Sequence, residues 1–247
     1  MQTRHYAPSP DLAPWVRTLT WVEAPDGGLR RLVPVPALSL GFRLAGAAFL
    51  AEGGGWRRLP DVTIAGPHTR ARLVRTEPGG RLLVARLHPA LARAFHPDPG
   101  ALLDATLPLT STFTQEEATP RDEDAWLAAV EDFLRRRLRA GEPPDRLAVA
   151  AVDRIEAGQG QGRIAALARE LGTSGDTLAR RVKRSTGASP KQLAAVARLH
   201  AAFSAAQPDL TTRAMAAGYF DQPHFNAHVR RATGVAPSVL LRPGTAC

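Results

Sequence analysis

Arg180, Lys183 and Arg184 occupy one short polar stretch of the chain, and Gln222, Asn226 and Arg230 occupy another. An arginine can pair bidentately with the O6 and N7 atoms of guanine, and a glutamine or asparagine with N6 and N7 of adenine. Lysine and arginine also neutralise phosphate oxygens whatever the base sequence. The two stretches belong to a near repeat. Val182-Lys183-Arg184-Ser185-Thr186-Gly187-Ala188-Ser189-Pro190 returns 47 residues later as Val229-Arg230-Arg231-Ala232-Thr233-Gly234-Val235-Ala236-Pro237. Four positions before each valine stands an apolar residue (Leu178, Phe225), and eight before it a capping type (Ser174, Asp221). Cap, apolar, apolar, basic pair and glycine at these offsets describe one helix with a buried stripe, a charged flank and a glycine stop.

Such a helix must be held at the surface by its neighbours. Ile164–Leu171 reads as a short first helix, Gly172-Thr173 as a tight turn and Ser174–Ser185 as the second helix. Ser189 and Pro190 start a long helix to about Gln207, which Pro208-Asp209 breaks. Thr211–Ala217, the turn Gly218-Tyr219-Phe220 and Asp221–Thr233 repeat the first unit with one extra turn residue. The pattern predicts a tandem helix-turn-helix, each unit offering the start of its second helix to a DNA major groove. With Leu178 and Val182 facing inward, the first unit offers Ser174, Asp176, Thr177, Ala179, Arg180, Lys183 and Arg184 to DNA. With Phe225 and Val229 inward, the second offers Gln222, Pro223, Asn226, Ala227 and Arg230. Arg180 is the best single base reader, with a phosphate contact as its competing role. Gln222 and Asn226 suit adenine but compete with local capping.

Further residues carry a family resemblance. They are Ala168…Leu171-Gly172-x-Ser174-x3-Leu178, the helix start Gly187-Ala188-Ser189-Pro190-Lys191 and Arg198. Ala214-x3-Gly218-Tyr219-x-Asp221-Gln222-x-His224-Phe225 and Thr233-Gly234-x-x-Pro237-Ser238 complete the set. With these, residues 163–242 resemble the C-terminal domain of AraC/XylS-type bacterial transcription regulators. Leu12-Ala13-Pro14-Trp15-Val16, Gly66-Pro67 and Arg86-Leu87-His88-Pro89 are similar to sensor-like domains that precede this module in one subgroup. Three positions depart from the pattern. Arg213 falls where the family has a buried aliphatic residue, Pro223 where it has a small polar one, and Ala227 replaces an arginine. The resemblance therefore implies a more specific first unit and a second that acts chiefly as an anchor.

The charge supports a polyanion partner for that segment alone. Residues 163–242 hold 12 Arg/Lys and 4 Asp/Glu, leaving 20 and 19 of the totals of 32 and 23 to the rest. The excess is therefore +8 in the segment and +1 elsewhere. An apolar content of 44% and a charged content of 22% in 247 residues suit folded domains. No apolar run of membrane-spanning length and no secretory leader is evident, and the single cysteine, Cys247, excludes an internal disulfide framework. A reducing cytoplasmic setting and no membrane partner are the expectation.

Upstream, residues 1–118 predict β structure. Leu29–Val35, Leu38–Leu44, Arg70–Val74 and Arg81–Leu87 are apolar stretches between Gly/Pro turns. Asp11–Val22 reads as a short helix, and His88–Phe95 as one opening at Pro89. Ser111–Asp122 reads as a linker. Glu123–Ala140 and Arg146–Ala157 are amphipathic helices, the second capped by Asp145. Arg135-Arg136-Arg137 suits the dipole at a helix C-terminus better than a DNA contact.

Other constellations are weaker. His224 and His228 have metal-capable spacing without a third ligand, and His68, His88 and His96 with Glu77 form no close pair. No nucleophile elbow or phosphate loop is present. Trp15, Trp21 and Trp56 could line a ligand pocket, but core packing is their commoner fate.

The expected fold is α+β: a β-rich barrel or sandwich-like regulatory domain (1–118), a linker and amphipathic helix (119–144), and an all-α double helix-turn-helix domain (145–247). The expected function is sequence-specific binding of double-stranded DNA by a transcription regulator, with two recognition helices in successive major grooves. No catalytic residue, metal or cofactor is expected. A small-molecule effector in the N-terminal domain, and a monomer or homodimer, are left open. The rival is a metal-binding or enzymatic barrel fused to a DNA-binding module.

Overall fold

The computed structural model describes residues 2–109, 122–204 and 209–240. Its N-terminal part is built from β1 (Gln2–Tyr6), β2 (Val16–Ala24), β3 (Gly28–Leu32), β4 (Leu38–Ala45), β5 (Ala48–Glu52), β6 (Gly55–Arg58), β7 (Val62–Ala65), β8 (Arg72–Thr76), β9 (Gly80–Leu87) and β10 (Thr106–Pro108). Six strands form one sheet in the order β1-β2-β9-β4-β7-β10, and four form another in the order β3-β8-β5-β6. Among the described residues all pairs are antiparallel, and no ladder joins the two sheets into a closed barrel. The β-rich, α+β expectation holds.

One element differs. Asp11–Val22 is not a helix: a turn covers its start, and β2 begins at Val16. The sequence VRTLTWVEA is rich in β-branched and aromatic residues, which favour a pleated strand. It sits between β1 and β9, with Leu19 opposite Ala85 and Trp21 opposite Leu83. That central place satisfies its backbone groups on both edges.

His88 then caps a 3-10 turn, Pro89–Leu91, which leads into α1 (Ala92–Phe95). The predicted linker lies outside the described residues save for Asp122, whose carboxylate caps α2 (Glu123–Ala140) by accepting from Ala125 N–H at 2.8 Å. The apolar stripe of α2, Trp126, Val130, Phe133 and Leu134, belongs to the same core as Leu19, Phe42, Ile64 and Leu83. Glu123 bonds Tyr6 and Arg4, Glu131 bonds Ser9, and Arg135 bonds Asp11 at 2.7 Å. Helix α2 is thereby built into the N-terminal core. Arg137 Nη2 donates to Ala94 O at 2.7 Å, a structural role away from DNA.

The rest is helical: α3 (Arg146–Ala157), α4 (Ile164–Glu170), α5 (Gly175–Thr186), α6 (Pro190–Ser204), α7 (Leu210–Ala216), α8 (Gln222–Thr233) and α9 (Pro237–Leu240). The sequence did not signal α9. One core gathers Ala151, Val152, Leu167, Leu178, Val182 and Leu193; a second gathers Leu199, Ala214, Tyr219, Phe225 and Val229. Each has a contribution from the N-terminal part. Ala90 belongs to the first core, with Leu103 against it, and Val33 packs on the second.

Candidate nucleic-acid interface

In the first head, Ser174 caps α5 by accepting from Thr177 N–H at 3.2 Å, and its hydroxyl lies 3.0 Å from that of Thr177. Ser174 and Thr177 are thus engaged in starting the helix. Leu178 and Val182 are fully buried, as their spacing predicts. Asp176, Arg180, Lys183 and Arg184 are exposed, and Ala179 is half-buried. Arg181 is withdrawn: its Nε and Nη2 grip Asp145 at 2.7 and 2.6 Å, which holds that carboxyl below its usual range. Among the described residues Arg180, Lys183 and Arg184 have no ion pair. The solvent face of α5 is therefore a free cationic ridge with Arg180 nearest its start.

In the second head, Asp221 caps α8 by accepting from His224 N–H at 2.7 Å, with Pro223 in the first turn, where a missing N–H costs nothing. Phe225 and Val229 are buried; Pro223, Ala227 and Arg230 are exposed. The two proposed adenine readers are less free. Gln222 Oε1 accepts from Thr211 Oγ1 at 2.9 Å, and Asn226 turns its Oδ1 into the protein, where that atom finds no partner among the described residues. Three residues separate α4 from the cap of α5, and four separate α7 from that of α8. The added residue places Phe220 in solvent, 85% exposed.

Arg213 now has a reason. It is buried, and its Nη1 donates to Ala202 O at 2.7 Å, satisfying a carbonyl near the end of α6. Arg198 donates to Gly160 O at 2.6 Å and lies 5.9 Å over the Tyr219 ring, joining the loop before the first head to the turn of the second.

The N-terminal part touches both recognition helices at their ends. Gly187, left-handed at φ +80°, ends α5 so close to the Pro99 carbonyl that an added Cβ would lie 2.0 Å from that oxygen. At the end of α8, Ala232 O accepts from Ala71 N–H at 2.6 Å and Thr233 O from Arg31 Nη1 at 2.8 Å. Arg17 bonds Asp153 and Glu156 of α3 at 3.0 Å each. Sequence patterns gave no signal for these contacts, because they join residues far apart in the chain.

His68, His88 and His228 are held by contacts within the protein. His228 Nδ1 lies 2.7 Å from the Tyr219 hydroxyl, and burial pushes its pKa down to about 4. His88 Nδ1 accepts from Ala90 N–H at 3.1 Å, so its proton resides on Nε2, 3.4 Å from Asp153. That approach is close without hydrogen-bond geometry. Burial also lowers His68, to about 3. Among the described residues no three His, Cys, Asp or Glu side chains gather as a metal site, so His68, His88, His96 and Glu77 do not converge. No described helix is long and apolar enough to cross a membrane.

Two capped helices with cationic or amide-bearing outer faces, each braced by a shorter helix, are the geometry of a double helix-turn-helix. Residues 167–243 match a family model described as a helix-turn-helix domain. The chain carries a helix-turn-helix domain, a module that presents its second helix to DNA. Upstream of this domain, residues 4–107 match a domain of unknown function (DUF6597). No curated protein sequence matches the chain. Among solved structures, ToxT from Vibrio cholerae is similar at 12% identity and a TM-score of 0.53, over 97% of each chain. ToxT from the same organism with an unsaturated fatty acid bound gives 12% and 0.52, over 93% of this chain and 96% of that one. This likeness is one of fold.

Proposed function

We propose that the chain is a sequence-specific regulator whose α5 and α8 enter successive major grooves of one DNA, about 34 Å apart along one face. The observation that carries this reading is the free ridge of Arg180, Lys183 and Arg184 on a capped helix whose opposite face is fully buried. Arg180 reads a guanine, Lys183 and Arg184 hold phosphates, and Asp176 and Ala179 border the bases. The second head, with Gln222 and Asn226 partly engaged in the protein, contributes more anchoring through Arg230 than reading. A single chain carries both heads, so a monomer suffices for specificity. The setting is cytoplasmic.

The test is selection of bound duplexes from random DNA with the full chain. Two half-motifs about one helical turn apart are expected, and absence of enrichment would refute the reading.

A small-molecule effector is a finer part of this proposal. Thr69 and Arg70 face Gln192, Ala195, Val196 and Leu199 of α6 and His228 and Arg231 of α8 across a cleft of about 240 Å³. Its lining combines the apolar Ala195, Val196, Leu199 and Ala232 with two arginines, which suits a small organic anion. The solved ToxT structure with a bound unsaturated fatty acid lends the idea support by analogy. Thermal-shift screening of organic acids against the full chain tests it; no shift in the wild type, or an equal shift in Arg231→Ala, would count against it.

A further inference from the structure

The repeat places its second basic residue, Arg184, on the flank of α5 that faces the N-terminal part. There Arg180, Lys183 and Arg184 line a cleft of about 340 Å³ whose other wall is Arg93 and the segment Pro97–Gly100. We propose that this cleft receives the phosphodiester backbone flanking the first recognition helix, so that the N-terminal domain grips DNA directly through Arg93. The inference rests on the DNA-binding reading and extends it to a domain to which nothing above assigns a role on DNA.

The charges point to a polyanion. Four cations meet in the cleft, and the one carboxylate lining it, Asp98, already accepts from Gly100 N–H at 2.8 Å. Arg93 Nε bonds Glu142 at 2.8 Å, but the two side chains are 35% and 51% exposed. A solvent-exposed pair of this kind contributes little, so a phosphate can displace the carboxylate at small cost.

The geometry keeps the cleft in place. The close approach of Gly187 to Pro99, and Ala90 and Leu103 against the first head's core, press the segment onto α5. Arg93 therefore shares a wall-to-wall space with Arg180, the residue expected to reach a base. A helix seated in the major groove is flanked by phosphates on both sides, and a cation beside the base reader lies where one of those backbones must pass.

The experiment measures affinity of the full chain by fluorescence anisotropy, over a salt series, for a selected duplex and a random one. Arg93→Ala is expected to weaken both about threefold to tenfold and to lower the slope of log K against log salt by about 1. Arg93→Lys should retain the slope, and Glu142→Gln, which releases Arg93, should tighten both duplexes. Unchanged affinity and slope in Arg93→Ala, alongside a loss in Lys183→Ala, would overturn the proposal while leaving DNA binding intact. Tighter binding by Arg93→Ala would also overturn it, since the segment would then obstruct DNA. A wild-type chain with no preference for the selected duplex would instead fault the sequence-specific reading, and the random duplex would still test Arg93.

Discussion

The buried hydroxyls of Thr186 and Thr233, 47 residues apart, make the same hydrogen bonds in two places. Thr186 Oγ1 lies 2.9 Å from Val182 O and accepts from Ala188 N–H at 3.1 Å; Thr233 Oγ1 lies 2.8 Å from Val229 O and accepts from Val235 N–H at 3.3 Å. Each also lies beside the carbonyl two residues on, at 2.9 and 3.2 Å. The repeat is thus a structural device that ends each recognition helix and turns the chain sharply. Thr186→Val and Thr233→Val keep the shape but leave an amide without its partner. Each is expected to cost about 1–3 kcal/mol in denaturant unfolding, and a cost confined to one of them would break the equivalence.

The two recognition helices should respond unequally to truncation. Arg180→Ala is expected to abolish the preference for the selected duplex, since a bidentate arginine–guanine pair is worth about 1–3 kcal/mol of discrimination. Asn226→Ala should only weaken binding, because its amide oxygen is turned away from solvent. Equal losses in gel shifts would contradict this ordering.

The double helix-turn-helix was legible because its signals are local. Ser174, Asp209 and Asp221 each cap a helix through a backbone amide within three residues, and Gly187 and Gly234 each stop one with a left-handed turn. The strand at Val16–Ala24 was misread because its neighbours decide its state: β1 and β9 supply hydrogen bonds that no window of sequence contains. Arg213 looked anomalous for the same reason, its carbonyl partner arriving from another helix. The wall that Arg93 and Pro97–Gly100 build beside α5 had no signal at all. In the second head, the engagement of Gln222 depends on a side-chain partner, Thr211, which spacing alone does not reveal.

Acid should destabilise the fold before carboxylates titrate. Burial holds His68 near 3 and His88 and His228 near 4, against 6.5 for a free ring. As pH falls below about 6.5 the unfolded chain takes up protons that the folded chain refuses. Stability is therefore full above that pH and declines toward pH 4. Glu156, raised by burial, runs the other way and trims the slope. His88→Asn keeps an acceptor for Ala90 N–H and removes one titrating ring. Its urea midpoint is expected to fall less between pH 7 and 4.5 than that of the wild type; a parallel decline would show that His88 plays no part.

Gly187 and Gly234 separate the strain of a left-handed helix stop from the packing of the N-terminal part. Both are left-handed, at φ +80° and +76°, so an alanine at either pays about 1–2 kcal/mol in backbone energy. At Gly234 the nearest obstacle to a Cβ is Arg31 Nη1 at 3.8 Å, an ordinary contact. At Gly187 it is the Pro99 carbonyl oxygen at 2.0 Å, and backbone on both sides must part. Gly187→Ala is accordingly expected to cost clearly more than Gly234→Ala, and to raise hydrogen exchange in Pro97–Gly100 as that segment lifts from α5. If the segment is the wall of a DNA-gripping cleft, Gly187→Ala should also lower the salt dependence of DNA binding, as Arg93→Ala does. Matching stabilities for the two alanine variants would mean that the N-terminal part does not bear on the first head.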